Sequence, residues 1–151
     1  MNMREYLSDF MTDAIFFDGF DEALIGHGER CNLSVVLYDA HKCIKILMNE
    51  SMTEEEAVDF FEFNIVGSYV GENTPIFCYL EDGELDDAII GYGERCDLSV
   101  VLYCANRYVD ILVSEGMKQD EAKEYFELNI LGNCTGENTP MFCYLIDTSQ
   151  I

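Results

Sequence analysis

The segment from Asp21 to Leu80 aligns with Asp86 to Leu145 without a gap, and more than half of the aligned positions are identical. The chain of 151 residues thus holds two copies of one unit of roughly 65 residues, behind a short N-terminal segment. Identity falls in blocks. Gly26, Gly28, Glu29, Arg30 and Cys31 recur as Gly91, Gly93, Glu94, Arg95 and Cys96; Leu33 to Tyr38 recurs as Leu98 to Tyr103; Gly71 to Pro75 recurs as Gly136 to Pro140. The stretch His41 to Lys45 has diverged completely from Asn106 to Asp110.

Each copy reads as helix, strand, helix, helix, strand. Leu33-Ser-Val-Val-Leu-Tyr38 is a short β-branched apolar run, expected to be a buried strand. Ala40, Cys43, Ile44, Leu47 and Met48 then recur at helical spacing. Thr53-x-x-Glu56 has the pattern of a capping box, in which a hydroxyl and a carboxylate satisfy each other's backbone amides, and it opens a second helix ending near Gly67. Pro75 leads into an aromatic-rich strand, Ile76 to Leu80. The stretch Phe20 to Cys31 reads as helical apart from its two glycines, which would each cost about 1 kcal/mol in a helix interior. Tyr6, Leu7, Phe10, Met11, Ala14 and Ile15 recur at spacings of three and four, predicting an amphipathic helix over 1–17. Repeat 1 runs over 18–82 and repeat 2 over 83–151. A two-stranded sheet is marginal alone, so the expectation is one α+β body in which two helix-strand-helix-helix-strand repeats share a four-stranded sheet with pseudo-twofold symmetry. The short acidic linker Glu81-Asp-Gly-Glu84 fits tightly docked halves, a pseudo-dimer within one chain.

Charge narrows the partners. Eight Lys and Arg face 30 Asp and Glu, a formal net charge of −22 that no single tail carries. Such a body repels phosphate backbones and anionic lipids, so direct nucleic-acid binding and membrane association are not expected, and a basic protein partner is. No apolar run is long enough to span a bilayer. The first 17 residues carry Glu5, Asp9 and Asp13 and lack a basic stretch followed by an apolar one, so no secretory signal is read and an intracellular protein is expected. The seven cysteines include no C-x-x-C pair and read as reduced, buried thiols rather than metal ligands. No motif calls for a cofactor.

The most site-like residues lie in the duplicated blocks. Gly26-x-Gly28-Glu29-Arg30 and Gly91-x-Gly93-Glu94-Arg95 could admit a small anion beside backbone amides, with Arg30, Arg95, Glu29 and Glu94 as binding candidates. The competing reading is that each arginine holds an internal carboxylate, Glu72 or Glu137. The Gly-Glu-Asn-Thr-Pro segments have turn chemistry, and Asn64 and Asn129 sit where an amide caps a helix end. Asp39 and Cys104 share a position after the first strand; the carboxylate is lost in one copy, and neither His27 nor His41 is duplicated. No Ser-His-Asp order and no H-E-x-x-H occurs, so the sequence points away from an enzyme. Glu54, Glu55, Asp59 and Glu62, with Asp120, Glu124 and Glu127 in the second copy, form acidic helix faces without a calcium-loop pattern.

The run Ala-x-x-x-Phe-Glu-x-Asn-Ile-x-Gly-x-x-x-Gly-Glu-Asn-Thr-Pro-x-Phe, found over 57–77 and again over 122–142, resembles a family of small uncharacterised proteins met in bacteriophage and bacterial genomes. The likeness extends to the glycine-arginine segment and the Val-rich strand. It implies a phage-encoded origin, location in the host cytoplasm, and a unit able to exist alone as a dimer that this chain mimics covalently. It supplies no activity and no catalytic residues.

These readings converge on a non-enzymatic acidic binding protein that engages or inhibits a basic host protein surface, in its sharpest form a DNA mimic whose carboxylates imitate a phosphate lattice. The alternative is an anion-binding, small-molecule or enzymatic protein that uses the duplicated Gly-x-Gly-Glu-Arg segments, with an arginine-lined pocket in each half.

Overall fold

The computed structural model describes residues 2–31, 33–81, 88–134, 136, 138–147 and 149. Helix α1 (Met3–Phe10) leads through a 3-10 turn (Asp21–Ala23) into β1 (Leu24–Arg30) and β2 (Leu33–Asp39). Helices α2 (Ala40–Asn49) and α3 (Glu54–Phe60) follow, α3 running on into a π-helical turn (Phe61–Val66), and β3 (Ile76–Leu80) completes the copy. The second copy repeats the order with β4 (Ile89–Arg95), β5 (Leu98–Cys104), α4 (Ala105–Ser114), α5 (Gln119–Tyr125), a π-helical turn (Phe126–Leu131) and β6 (Met141–Leu145). The linker residues 82–84 and Glu137 lie outside the described residues.

The six strands close into a barrel in chain order. This overturns the expected four-stranded sheet, and the error lies at one place in each copy: the stretch around Gly26 and Gly28 is a strand, not a helix. Two glycines spaced by two match the period of a strand. Gly28 faces the lumen, where a Cβ would meet Met141 Sδ at 2.5 Å and Leu37 Cδ2 at 3.0 Å; Gly93 meets Ile76 Cγ2 in the same way. At Gly26 (φ +151°) and Gly91 (φ +149°) a Cβ would strike the main-chain carbonyls of Tyr144 and Tyr79, so only glycine lets β1 and β4 approach their neighbours this closely.

Pairing explains the closure. β1 and β2 form an antiparallel hairpin with Leu24 opposite Tyr38, repeated as Ile89 opposite Tyr103 in β4 and β5. β2 and β3 are parallel, as are β5 and β6, and a parallel pair needs a crossover, which α2–α3 and α4–α5 supply. Both remaining seams join one copy to the other: β3 pairs antiparallel with β4, and β6 with β1. Neither copy keeps an open edge.

The inner face is apolar. Val35, Leu37, Ile76, Cys78, Ile90, Val100, Leu102, Met141 and Cys143 fill the lumen, with Ile25 from β1 packed against them. Outside, a second cluster joins α1 (Met3, Leu7), the helices of the first copy (Cys43, Leu47, Ala57, Phe61) and the outward residues Val36, Tyr38 and Phe77. A third joins Ala105, Val109, Leu112, Ala122, Phe126 and Phe142 in the second copy. Helix starts follow local chemistry. Asp39 Oδ1 accepts from the Lys42 amide at 3.3 Å and caps α2, which accounts for that carboxylate after the strand; its counterpart Cys104 makes no such bond. The Thr53–Glu56 capping box is complete, whereas Lys118, which has no acceptor, leaves only the reverse bond from its amide to Glu121 Oε1 at 3.4 Å. Helix α1 ends at Phe10, short of the 1–17 helix read from spacing.

Candidate functional site

The duplicated arginines lie at the ends of β1 and β4, where each reaches across a seam into the other copy. Arg95 is buried, and its Nη1 donates to the main-chain carbonyls of Glu72 (2.6 Å) and Thr74 (2.9 Å). Arg30 Nη1 donates to the Thr139 carbonyl at 3.0 Å. Glu72, one of the two carboxylates read as arginine partners, offers Arg95 its backbone carbonyl, and the residue itself is exposed. The turns being held are themselves tied: Thr74 Oγ1 donates to the Gly71 carbonyl and accepts from the Val70 amide at 3.0 Å, and Thr139 Oγ1 donates to the Gly136 carbonyl at 2.6 Å. The Gly-Glu-Asn-Thr-Pro segments are receptors for arginine, built from hydroxyl-locked turns.

Both arginines also line one shared depression of about 420 Å³, with Tyr69, Cys96, Asp97, Leu98 and Asn138. Glu29 accepts from Ser34 Oγ at 3.3 Å on the outer wall of β1; Glu94 occupies the same place on β4, half-buried. Asn64 and Asn129 are exposed on the two π-helical turns.

The hairpin tips carry a feature that spacing did not reveal. Cys31 and Cys134 form a disulfide, with Cα atoms 5.2 Å apart, so two of the expected thiols are paired and the pair again joins copy to copy. Cys96, the counterpart of Cys31, remains free, and the position equivalent to Cys134 is Tyr69. Both Cys31 (φ 54°) and Cys96 (φ 49°) sit in the left-handed region that a two-residue hairpin loop demands. Burial pushes the Cys43 and Cys143 thiols up to about 12, and Cys78 well above its ordinary value, so these three act as small apolar side chains. Among the described residues, no group of three or more His, Cys, Asp or Glu side chains could hold a metal ion, and no helix is long and apolar enough to cross a membrane.

The acidic helix faces are where exposure and duplication coincide. Glu54, Glu55, Asp59 and Glu62 are exposed on α3 and its π-helical turn, as are Asp120, Glu124 and Glu127 on α5 and its own. Each turn also exposes large apolar side chains: Phe63 is 81% exposed and Leu128 70%, beside exposed Phe60 and Tyr125. The residues that alternate with them, Phe61 and Phe126, are buried against Phe77 and Phe142 at ring-centroid distances of 5.2 and 5.1 Å. Each copy therefore anchors a helix by one phenylalanine and turns a neighbouring apolar residue outward among carboxylates. The sequence reading found the carboxylates but did not single out the exposed apolar pair, Phe63 and Leu128. Compared with protein-family models, curated proteins and solved structures, the chain matches none.

Proposed function

We propose that the protein is a non-enzymatic acidic docking module that engages a basic protein surface through the ridges of α3 and α5. The observation that carries this reading is the recurrence, at equivalent places in both copies, of Phe63 and Leu128 exposed to solvent on the same helical turns as exposed Glu62 and Glu127, one turn on from Asp59 and Glu124. An exposed apolar anchor ringed by charge is the composition of an interface hot spot and its polar rim, and two of them on one body can bind one partner with avidity. Carboxylates around the anchor select a cationic partner and speed encounter in a salt-dependent way. The proposal includes a phage-encoded chain acting in the host cytoplasm, with inhibition of the partner as the outcome of docking.

The test is affinity capture from host lysate at low and high salt, run in parallel with the Phe63→Ser/Leu128→Ser double variant. A partner retained at low salt, released at high salt and lost with the variant supports the reading. Displacement of that partner by duplex DNA would select the DNA-mimic form. Capture of no salt-sensitive partner would remove it.

The shared depression supports a second reading, anion binding between Arg30 and Arg95. Stabilisation of the folded chain by inorganic phosphate, reduced in Arg30→Gln, would favour it. Arg95 already serves two carbonyls, so we rank it below docking.

A further inference from the structure

The two copies differ in what covers them. Over the first, α1 lies against β1, and its Phe10 ring meets His27 edge-on at 5.0 Å. His27 in turn stacks on Tyr144 at 4.9 Å across the β1–β6 seam. Met3, Leu7 and Met11 are buried in one cluster with Leu24, Val36 and Tyr38. The equivalent places in the second copy are Ile89 and Tyr92 on β4, and Val101 and Tyr103 on β5. The same stack is present, Tyr92 on Tyr79 at 4.8 Å, yet among the described residues the face is open. Val101 is 43% exposed where Val36 is fully buried, and Tyr92 is 42% exposed.

Isolated apolar residues on a surface need no explanation, but these are contiguous: Tyr92 faces Val101 across the ladder, and Ile89 faces Tyr103. Beyond Tyr103 the face continues into a depression of about 290 Å³ lined by Ala88, Tyr103, Tyr108, Ile111, Leu112 and Glu115. In the first copy, Phe17 packs at the matching place, its ring 6.2 Å from Tyr38 and its amide donating to the Tyr38 hydroxyl at 2.8 Å.

We infer that the outer face of β4 and β5, formed by Ile89, Tyr92, Val101 and Tyr103, is a docking site for a basic amphipathic helix of a partner protein. The molecule carries its own template for the occupant, since the twin face is covered by α1, which bears Met3, Leu7 and Phe10 at helical spacing and is followed by buried Met11. Charge sets the flanks: Glu94 lies on β4 next to the stacked tyrosines, Glu115 closes the far end, and the whole chain carries −22. A second copy of the chain fits poorly, because its own α1 is already engaged and two such anions repel. This surface is distinct from the α3 and α5 ridges, so the two proposals fail separately.

The probe is a synthetic peptide of residues 2–17 carrying Glu5→Lys, Asp9→Lys and Phe10→Trp, titrated into the full chain. The protein contains no tryptophan, so emission reports the peptide alone. The expected result is saturable binding with a blue shift, weakened by salt, reduced at least about tenfold by Val101→Glu and unchanged by Phe63→Ser/Leu128→Ser. Val101 is exposed, and circular dichroism checks that the variant folds. Absence of saturable binding, or binding indifferent to Val101→Glu, overturns the inference. So does self-association of the free chain that Val101→Glu abolishes, which would assign the face to a second copy.

Discussion

Arg95, at the end of β4, holds the backbone of Thr74 in the other copy at 2.9 Å, and Arg30 holds Thr139 in return at 3.0 Å. The clamp crosses the molecule in both directions. Removing a buried guanidinium leaves carbonyls without a donor, so Arg95→Ala is expected to cost about 2–4 kcal/mol in urea unfolding. Arg95→Lys should recover only part of this, because one ammonium replaces a planar fork. A loss below 1 kcal/mol for Arg95→Ala, as an order-of-magnitude threshold, would show that the turns hold themselves.

Gly26→Ala and Gly28→Ala separate two kinds of crowding. At Gly28 the new methyl meets the flexible Met141 side chain and Leu37, so a cost of about 1–3 kcal/mol is expected. At Gly26 it meets the Tyr144 backbone at a φ that L-residues rarely adopt, and the seam between β1 and β6 must open. Thermal melts should rank Gly26→Ala as the more damaging; the reverse order would argue against the close strand approach.

The cysteine pairing is countable. Alkylation of the denatured, unreduced chain should modify five of its seven cysteines, leaving Cys31 and Cys134 protected. The bond closes a long loop, so Cys134→Ser should lower stability by up to about 4.7 kcal/mol on the loop-entropy account. Modification of all seven in protein made in a reducing cytoplasm would show that the pair stays as thiols there.

His27 has its Nδ1 buried without a hydrogen-bond partner among the described residues, 4.0 Å from Glu29 Oε1, and burial holds the imidazole below its ordinary 6.5. The unfolded chain therefore takes up this proton at a higher pH than the folded one. The site's contribution is complete above about pH 6.5 and is lost as pH falls from there toward the lowered folded value. Substituting the twin's residue, His27→Tyr, should shrink the drop in Tm between pH 7.5 and 5.5, two conditions about one unit either side of the free imidazole value. An unchanged drop would place the pH sensitivity elsewhere.

What was legible in the sequence was local. The β-branched run of β2, the spacing in α2 and the Thr53–Glu56 box each encode their structure within a few residues. The β1 segment misled because glycines weaken a helix and a strand alike; the usable signal was their spacing of two, followed by a two-residue loop and a strong strand. Ring closure was not legible, since β1 pairs with β6 from the far end of the chain and nothing in either run names its neighbour. The arginines were visible but their acceptors were not, because every chain position offers a carbonyl whatever its side chain. Cys134 has no twin, so the repeat that made Cys31 conspicuous hid its partner.

Both seams that close the barrel run between the copies, and this decides how the protein would respond to a single cut. A protease nick anywhere between Leu80 and Ile89 would leave two fragments zipped along two edges and tied by one sulfur bridge, so cleavage need not mean separation. The same arrangement lets the front half of one molecule close with the back half of another using no contact that the single chain lacks, a route to exchanged assemblies at high concentration.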